Sequence, residues 1–281
     1  AVKSVEAKTR RSPPPLLYDL TELQRHASRL FGFSAEKTLN MAQSLYERRK
    51  LLSYPRTDSR YLSTDVARTL SGVVDAIKHA YEPGLPKEIG RKELGSRFVR
   101  DAKVTDHHAI IPTDRRAGNE TLSGDERRIY DLVCRRLLMA WMDDNVACVT
   151  TIVTAVSSDP SGNDNTKVVD LFESKGVAIE QVGWKSLEIA APQPQGQENE
   201  PVLPAGLVRG LPLRVRKVEA LSKQTRPPKR FNDATLLTAM ESAGRQLDDR
   251  ELGEAMRDRG LGTPATRAGI IETLIQRGYV I

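Results

Sequence analysis

The chain has 281 residues, of which 39% are hydrophobic and 28% are charged. This length exceeds that of most small domains and predicts two or three folded units. No apolar run approaches the length of a membrane span, and Ala1 to Glu6 lack the apolar core of a signal peptide. Two isolated thiols, Cys134 and Cys148, cannot form a zinc site by themselves and fit a reducing compartment. We therefore expect a soluble, cytoplasmic protein without a membrane partner.

The chain is basic, with 43 Lys and Arg against 37 Asp and Glu, a net charge of +6 and a pI near 9.3. Basic residues cluster at 8–11, at 214–217 and at 223–230. The Arg pairs of the predicted helix at 124–142 are better explained as a solvated helix face. The charge is compatible with a polyanionic partner but does not require one.

Helices dominate the first half of the chain. A polar N-terminal segment leads to three prolines, which favour an extended backbone. Thr21 and Gln24 form a capping-box pattern for a helix that Gly32 ends, and Ser34 caps a second helix to about Arg48. Further helices are predicted over 64–81, from Ser123 to Trp141, over 233–240 with Asp233 as its cap, over 249–259 and from Thr263 to Gly278.

Strand patterns lie between these helices, in the second half of the chain. Residues 146–156 are rich in β-branched side chains and predict a long strand. Shorter strands are predicted at 167–172, 177–182, 187–189 and 213–220, and a surface loop at 192–201. The pattern predicts an α+β protein with a helical domain inserted into a β-rich domain.

The stretch Leu51-Leu52-Ser53-Tyr54-Pro55-Arg56-Thr57-Asp58-Ser59 sets a tyrosine hydroxyl two residues from a guanidinium. A phenol with a pKa near 10 is a weak nucleophile, so attack on a phosphate needs a nearby cation. Arginine suits that role because its fork of donors matches two phosphate oxygens. Pro55 disfavours a helical conformation at Tyr54. The alternative is a structural tyrosine beside a turn.

A second stretch, Asp106-His107-His108-Ala109-Ile110-Ile111, carries two adjacent histidines. Neighbouring side chains of an extended segment point to different sides, so one histidine can pack while the other reaches a ligand. The spacing does not favour a metal site. A histidine that donates to a phosphate is better motivated chemically, and a structural histidine is the alternative.

A third stretch, Gly260-Leu261-Gly262-Thr263-Pro264-Ala265-Thr266-Arg267, opens the last predicted helix. The N-terminus of a helix attracts anions, and two hydroxyls and a guanidinium add to it here. The alternative is an ordinary capped helix. Only phosphate binding gives Arg267 a role in this interpretation.

Together these stretches resemble the type IA DNA topoisomerases, and among them bacterial topoisomerase III-like enzymes. The resemblance also covers Pro14 to Gln24, Lys37 to Glu47 and Asp233-Ala234-Thr235-Leu236-Leu237. It implies that Tyr54 cleaves one DNA strand and holds its 5′ phosphate as a phosphotyrosine, that Arg56 binds the scissile phosphate and that His107 assists nearby. The implied DNA contacts are Arg60, His108, Thr263, Thr266 and Arg267.

The resemblance also implies a domain arrangement. Residues 1–18 and 145–230 would form a β-rich arch, 19–144 the helical domain with the tyrosine, and 231–281 part of a helical base domain that lines a DNA groove. The enzyme would break one strand, pass another through the gap and religate without ATP.

In the family, a Toprim domain binds Mg²⁺, and we find no counterpart of it in this sequence. We therefore expect no metal site here. The expected partners are the Toprim domain and single-stranded DNA. We expect the chain to be a central fragment that does not cleave DNA by itself. The alternative function is a non-catalytic module that binds single strands.

Overall fold

The computed structural model describes residues 1–118, 122–158, 168–190, 203–204, 206–225, 227–246 and 260–280. The chain divides into two compact units. The first comprises 1–13, 143–183 and 193–228, and the second 14–142, 184–192 and 229–281. The predicted helical and base domains both fall within the second unit, so their separation from each other stays a prediction.

The first unit contains a three-stranded antiparallel sheet in the order β1-β2-β3. Its strands are β1, Val2–Ser12, β2, Asn145–Ser158, and β3, Val168–Gln181. The central strand β2 places Thr150 between Ala7 of β1 and Gly176 of β3. Hydrophobic patterning does not reveal β1 because six of its consecutive residues, 6–11, are exposed.

Several strand predictions need correction. The predicted strands at 167–172 and 177–182 belong to one strand, β3, because the polar residues between them pair with β2. Residues Gly183–Leu187 form a 3₁₀ helix where a strand at 187–189 was predicted. Residues 213–220 have no regular secondary structure, and their apolar side chains are exposed, Val218 to 83%. The predicted helix at 249–259 and the loop at 192–201 lie outside the described residues.

The second unit is built mainly from helices. They are α1, Leu20–Phe31, α2, Ala35–Glu47, α3, Thr64–Ile77, α4, Gly124–Met139, α5, Asp233–Glu241, and α6, Pro264–Gln276. Short 3₁₀ helices occur at Lys78–Ala80, Glu82–Gly84, Asp101–Lys103 and Ala243–Gln246. None of the helices in the described ranges is both long and apolar enough to cross a membrane.

Helix caps follow local sequence only in part. Ser34 and Ser123 cap α2 and α4 as predicted. The predicted cap of α1 at Thr21 is wrong, since the carboxylate of Asp19 accepts the Glu22 N–H and Thr21 is buried. Burial raises the pKa of Asp19 to about 6. Tertiary packing can therefore bury the residue that the local sequence favours as a cap, and another residue then caps the helix.

Two apolar cores share the helix α4 between them. Ile129, Leu132 and Val133 face a core made with α1, α2, α5 and α6. Leu137 and Leu138 face a second core made with α3. A helix that is apolar on more than one side is typical of a buried position. Helix α4 occupies such a position, because it contributes side chains to both cores.

Helices α5 and α6 are held on α1 and α2 by polar contacts as well as by the first core. Arg25 of α1 donates to Glu241 over 2.6 Å, and the Asp233 carboxylate accepts the N–H of Ala35 over 2.7 Å. Residues 231–241 therefore extend the helical body that begins near residue 14.

Gly183 should not tolerate a side chain. Its φ is +55°, and a Cβ would lie 2.3 Å from the carbonyl oxygen of Asp144. We predict that Gly183→Ala lowers the free energy of unfolding by about 2 kcal/mol or more, measured by urea denaturation. The control is Gly72→Ala in α3, where a Cβ meets nothing within 4 Å and the change should stabilise by ~0.5–1 kcal/mol. Equal effects of the two substitutions would contradict this account.

Candidate active site

The tyrosine loop, residues 51–59, is fastened to the segment 106–113, which we call the histidine segment. Ser53 donates its N–H to the Ile111 carbonyl over 2.9 Å, and the Ser53 hydroxyl accepts the Ile111 N–H over 2.9 Å. The Thr57 hydroxyl donates to the His107 carbonyl over 3.1 Å. These bonds lie on either side of Tyr54, so the backbone that carries it is held at both ends.

The histidine segment is itself fixed by burial. Ile110 packs in the first core, and Ala109 and Ile111 pack in the second. This alternation is what an extended segment between two apolar bodies requires. His107, just before these anchors, is left exposed, so its ring is free to face the tyrosine loop.

Tyr54 is half-buried and lies between two other rings. Its ring centroid is 4.3 Å from that of His107, with the planes inclined by 43°. Tyr46 of α2 also meets it edge-on, with the centroids 5.4 Å apart. Such contacts stabilise a ring by about 0.5–1.5 kcal/mol per pair beyond its area burial. They restrict the directions in which the phenol oxygen can point.

Arg56 is exposed, and its guanidinium leaves the loop toward solvent. Its Nε donates to Oε1 of Gln43 over 3.1 Å. Pro55 between the tyrosine and the arginine is buried and fixes its own φ. The Tyr54 phenol and the Arg56 guanidinium therefore project from a short, stiff stretch of backbone.

A cavity of about 140 Å³ joins all three stretches singled out in the sequence. Its lining comprises Arg56, Thr57, Asp58, Thr105, Asp106, His107, Thr263, Pro264 and Ala265. The exposed carboxylates of Asp58 and Asp106 make the lining mixed in charge. An anion in this cavity would be attracted by the Arg56 guanidinium and by the N-terminal end of α6.

Thr263 and Thr266 are exposed and cap α6 together. Thr266 Oγ1 accepts the Thr263 N–H over 2.9 Å, and the two hydroxyls lie 3.1 Å apart. Gly260 and Gly262 before them adopt φ values of +61° and +67°, a region that favours glycine. The turn brings Thr263 to the cavity, while Thr266 does not line it.

Arg267 is buried, with 3% of its surface exposed. Its guanidinium donates to the Thr21 hydroxyl over 3.1 Å, and its Nε donates to the Leu261 carbonyl over 3.2 Å. The inference that only phosphate binding gives Arg267 a role is therefore wrong, because the side chain ties α6 to α1 and to the glycine turn. Its contact with DNA stays a prediction.

Arg60 and His108 also have partners within the protein. Arg60 donates to the carbonyls of Leu17 and Leu16, over 3.1 and 3.4 Å. His108 Nδ1 lies 2.7 Å from the Ala109 carbonyl, which requires Nδ1 to be the donor and leaves Nε2 as an acceptor in the neutral ring. Burial lowers the pKa of His108, which favours that neutral form. Their predicted DNA contacts remain untested.

Sequence patterns did not single out Gln43, Tyr46, Asp58 or Asp106 as site residues. Gln43 and Tyr46 lie on α2, and only the folded loop brings Tyr54 and Arg56 to them. Spacing along the helix gives no sign of that encounter. The acidic pair was visible in the motifs themselves, two residues after Arg56 and one before His107.

A metal ion does not fit the side chains that the structure describes. Within those ranges, no group of three or more His, Cys, Asp or Glu is arranged to hold one. Asp58 and Asp106 share the cavity with a guanidinium, which is a poor setting for a cation.

Arg267→Lys should weaken folding. Lysine keeps the charge but loses the fork that reaches Thr21 and Leu261 at once, so we expect about 1–2 kcal/mol of destabilisation in urea unfolding. Arg277→Lys, at an exposed position of the same helix region, is the control and should stay within about 0.5 kcal/mol. An unchanged unfolding midpoint in Arg267→Lys would contradict the structural role of this side chain.

Comparison with known proteins identifies the family. A family model described as DNA topoisomerase matches residues 1–281. DNA topoisomerase 3 of Bacillus subtilis is 40% identical over 280 residues, 97% of this chain and 37% of that protein. DNA topoisomerase 3 of Bacillus licheniformis is 39% identical over 284 residues, with the same coverage of 97% and 37%.

The fold agrees with these relatives. Full-length topoisomerase I from Thermotoga maritima superposes on all of this chain and on 41% of its own, with a TM-score of 0.63 and 21% identity. The chain thus spans 37% of the length of these curated relatives. With the family match over the whole chain and the shared fold, the chain belongs to the DNA topoisomerase family, in its type IA branch.

Proposed function

We propose that this chain carries the strand-cleaving tyrosine of a type IA DNA topoisomerase. The enzyme cleaves one DNA strand through a 5′-phosphotyrosine, passes another strand through the break and religates the first. The observation that carries the proposal is the convergence of Arg56 and His107 with the start of α6 around one cavity, with the Tyr54 ring in contact with that of His107. The names of the relatives, DNA topoisomerase 3, support the same activity.

The cleavage step exchanges one phosphate ester for another. The Tyr54 oxygen bonds to phosphorus and loses its proton, the bond from phosphorus to the 3′ oxygen breaks, and that oxygen takes up a proton. The reverse reaction reseals the strand. Since the number of ester bonds is unchanged, no ATP is needed to restore the backbone.

The side chains of the site have different roles. Arg56 stabilises charge on the non-bridging oxygens, as a guanidinium fork does well. His107 contacts the Tyr54 ring, with the two centroids 4.3 Å apart, and lines the same cavity as Arg56. Thr263 at the start of α6 is the best supported of the proposed DNA contacts, because it lines that cavity. The other proposed DNA contacts are Thr266, Arg60, His108 and Arg267.

Mg²⁺ and the Toprim domain belong to the proposal for the whole enzyme. The described side chains do not fit a metal site, and no step above runs through one. We assign Mg²⁺ binding, and the acid that protonates the 3′ oxygen, to a Toprim domain acting together with this chain. Single-stranded DNA is the proposed substrate, and the cytoplasm the proposed location.

The proposal predicts that Tyr54→Phe abolishes the covalent DNA adduct. The test uses a chimera of the Bacillus subtilis relative in which the segment aligned with this chain is replaced by it. With Mg²⁺ and labelled single-stranded DNA, the chimera should form an adduct that survives denaturation. Tyr46→Phe is the matched control, since it keeps the neighbouring ring and should leave the adduct in place.

Two results would contradict the proposal. One is an adduct that persists in Tyr54→Phe. The other is a folded chimera that binds single strands in a salt-dependent way, forms no adduct and is indifferent to Tyr54, which would favour the non-catalytic binding module.

A further inference from the structure

Among the residues that the structure describes, Arg56 forms one hydrogen bond. Its donor is Nε, the nitrogen that joins the guanidinium to the aliphatic part of the side chain. Nε donates to Oε1 of Gln43 over 3.1 Å. An arginine offers five N–H donors, four of them on its two terminal nitrogens. The bond to Gln43 therefore fixes the plane of the fork and leaves those terminal nitrogens for a ligand.

Gln43 is itself oriented by a neighbour one helical turn away. Its Nε2 donates to Oε1 of Glu47 over 2.7 Å. Residues at i and i+4 lie on one face of a helix, and both belong to α2. Because a carboxylate only accepts hydrogen bonds, it draws the amide nitrogen and turns the amide oxygen toward Arg56. Glu47, Gln43 and Arg56 thus form a directional chain.

A direct acidic partner for Arg56 would work less well. A carboxylate at position 43 would form a charge-assisted bond with the guanidinium and compete with a phosphate. The neutral glutamine orients the fork without neutralising its charge. The positive charge beside Tyr54 therefore stays available.

We propose that Gln43 is a positioning residue that presents the Arg56 fork to the scissile phosphate, with Glu47 fixing the direction of its amide. The inference rests on the proposed function, because it needs a phosphate to be attacked by Tyr54. It extends that function to a residue on α2 that acts only through Arg56. A misplaced fork of this kind lowers the rate of cleavage more than it lowers DNA affinity.

The test is Gln43→Met in the chimera, which keeps the length of the side chain and removes both hydrogen bonds. We expect adduct formation to slow by ~10-fold, while affinity for single-stranded DNA changes by less than about twofold, since most phosphate contacts are untouched. Asn40→Met, at an exposed position of the same helix, is the control and should leave both quantities unchanged.

A double-mutant cycle separates positioning from a merely structural role. Lysine has no counterpart of Nε, so Gln43→Met should add no further slowing in an Arg56→Lys background. A structural role of Gln43 would instead slow both backgrounds by the same factor. Independently of activity, the Arg56 Nε–H signal in ¹⁵N NMR of the 281-residue chain should be protected from exchange and should lose that protection in Gln43→Met.

The outcomes distinguish this inference from the function on which it rests. An adduct that depends on Tyr54 but forms at an unchanged rate in Gln43→Met overturns the positioning role alone. Equal slowing in both backgrounds, or an Nε–H signal that is unaffected by Gln43→Met, also overturns it. An adduct that is independent of Tyr54, or absent from the parent chimera, overturns the proposed function.

Discussion

The hydrogen-bonded pairing of the tyrosine loop with the histidine segment is the constraint on which the site depends. Ser53 and Ile111 exchange bonds on one side of Tyr54, and Thr57 holds the His107 carbonyl on the other. Neither segment is a regular helix or strand of any length, so their backbone groups would otherwise need water. Pairing them satisfies those groups and brings the two rings together.

The pairing holds because both segments are anchored in apolar cores. Leu51 and Leu52 of the loop are buried, as are Ile110 and Ile111 of its partner. Burying side chains of this size contributes about 1.5–3 kcal/mol each, whereas an exposed hydrogen bond such as that between Gln43 and Arg56 contributes about 1 kcal/mol. The frame is therefore rigid, and the groups that would meet DNA are exposed on it. This combination suits a site whose side chains must keep their relative positions while a ligand binds and dissociates.

Sequence patterns predicted the parts of the molecule that depend on neighbours along the chain. Serine caps, helix periodicity and the long β-branched strand β2 all follow from local chemistry. The failures share one cause, which is a partner far away in sequence. Asp233 was expected to cap its own helix, but its carboxylate holds the Ala35 N–H and Asn232 caps α5 instead. Phosphate binding was expected to be the only role of Arg267, and the side chain also holds Thr21.

For the candidate site, sequence patterns singled out the three stretches but not the way they meet in the fold. The contact between the His107 and Tyr54 rings, and the cavity that His107 shares with Thr263, arise from tertiary packing. The strand predicted at 213–220 illustrates the opposite error. The β-branched and basic residues at 213–220 favour a strand, but a strand also needs a neighbouring strand with which to pair. Residues 213–220 belong to no strand in the structure.

The most direct test of this account is to identify the atom to which DNA becomes attached. The chimera, trapped on labelled single-stranded DNA, is digested with protease and nuclease, and the modified peptide is sequenced by mass spectrometry. The account predicts a nucleotide joined through its 5′ phosphate to Tyr54, in a peptide that contains Arg56. Attachment to Tyr46 or another residue, or through a 3′ phosphate, would contradict it.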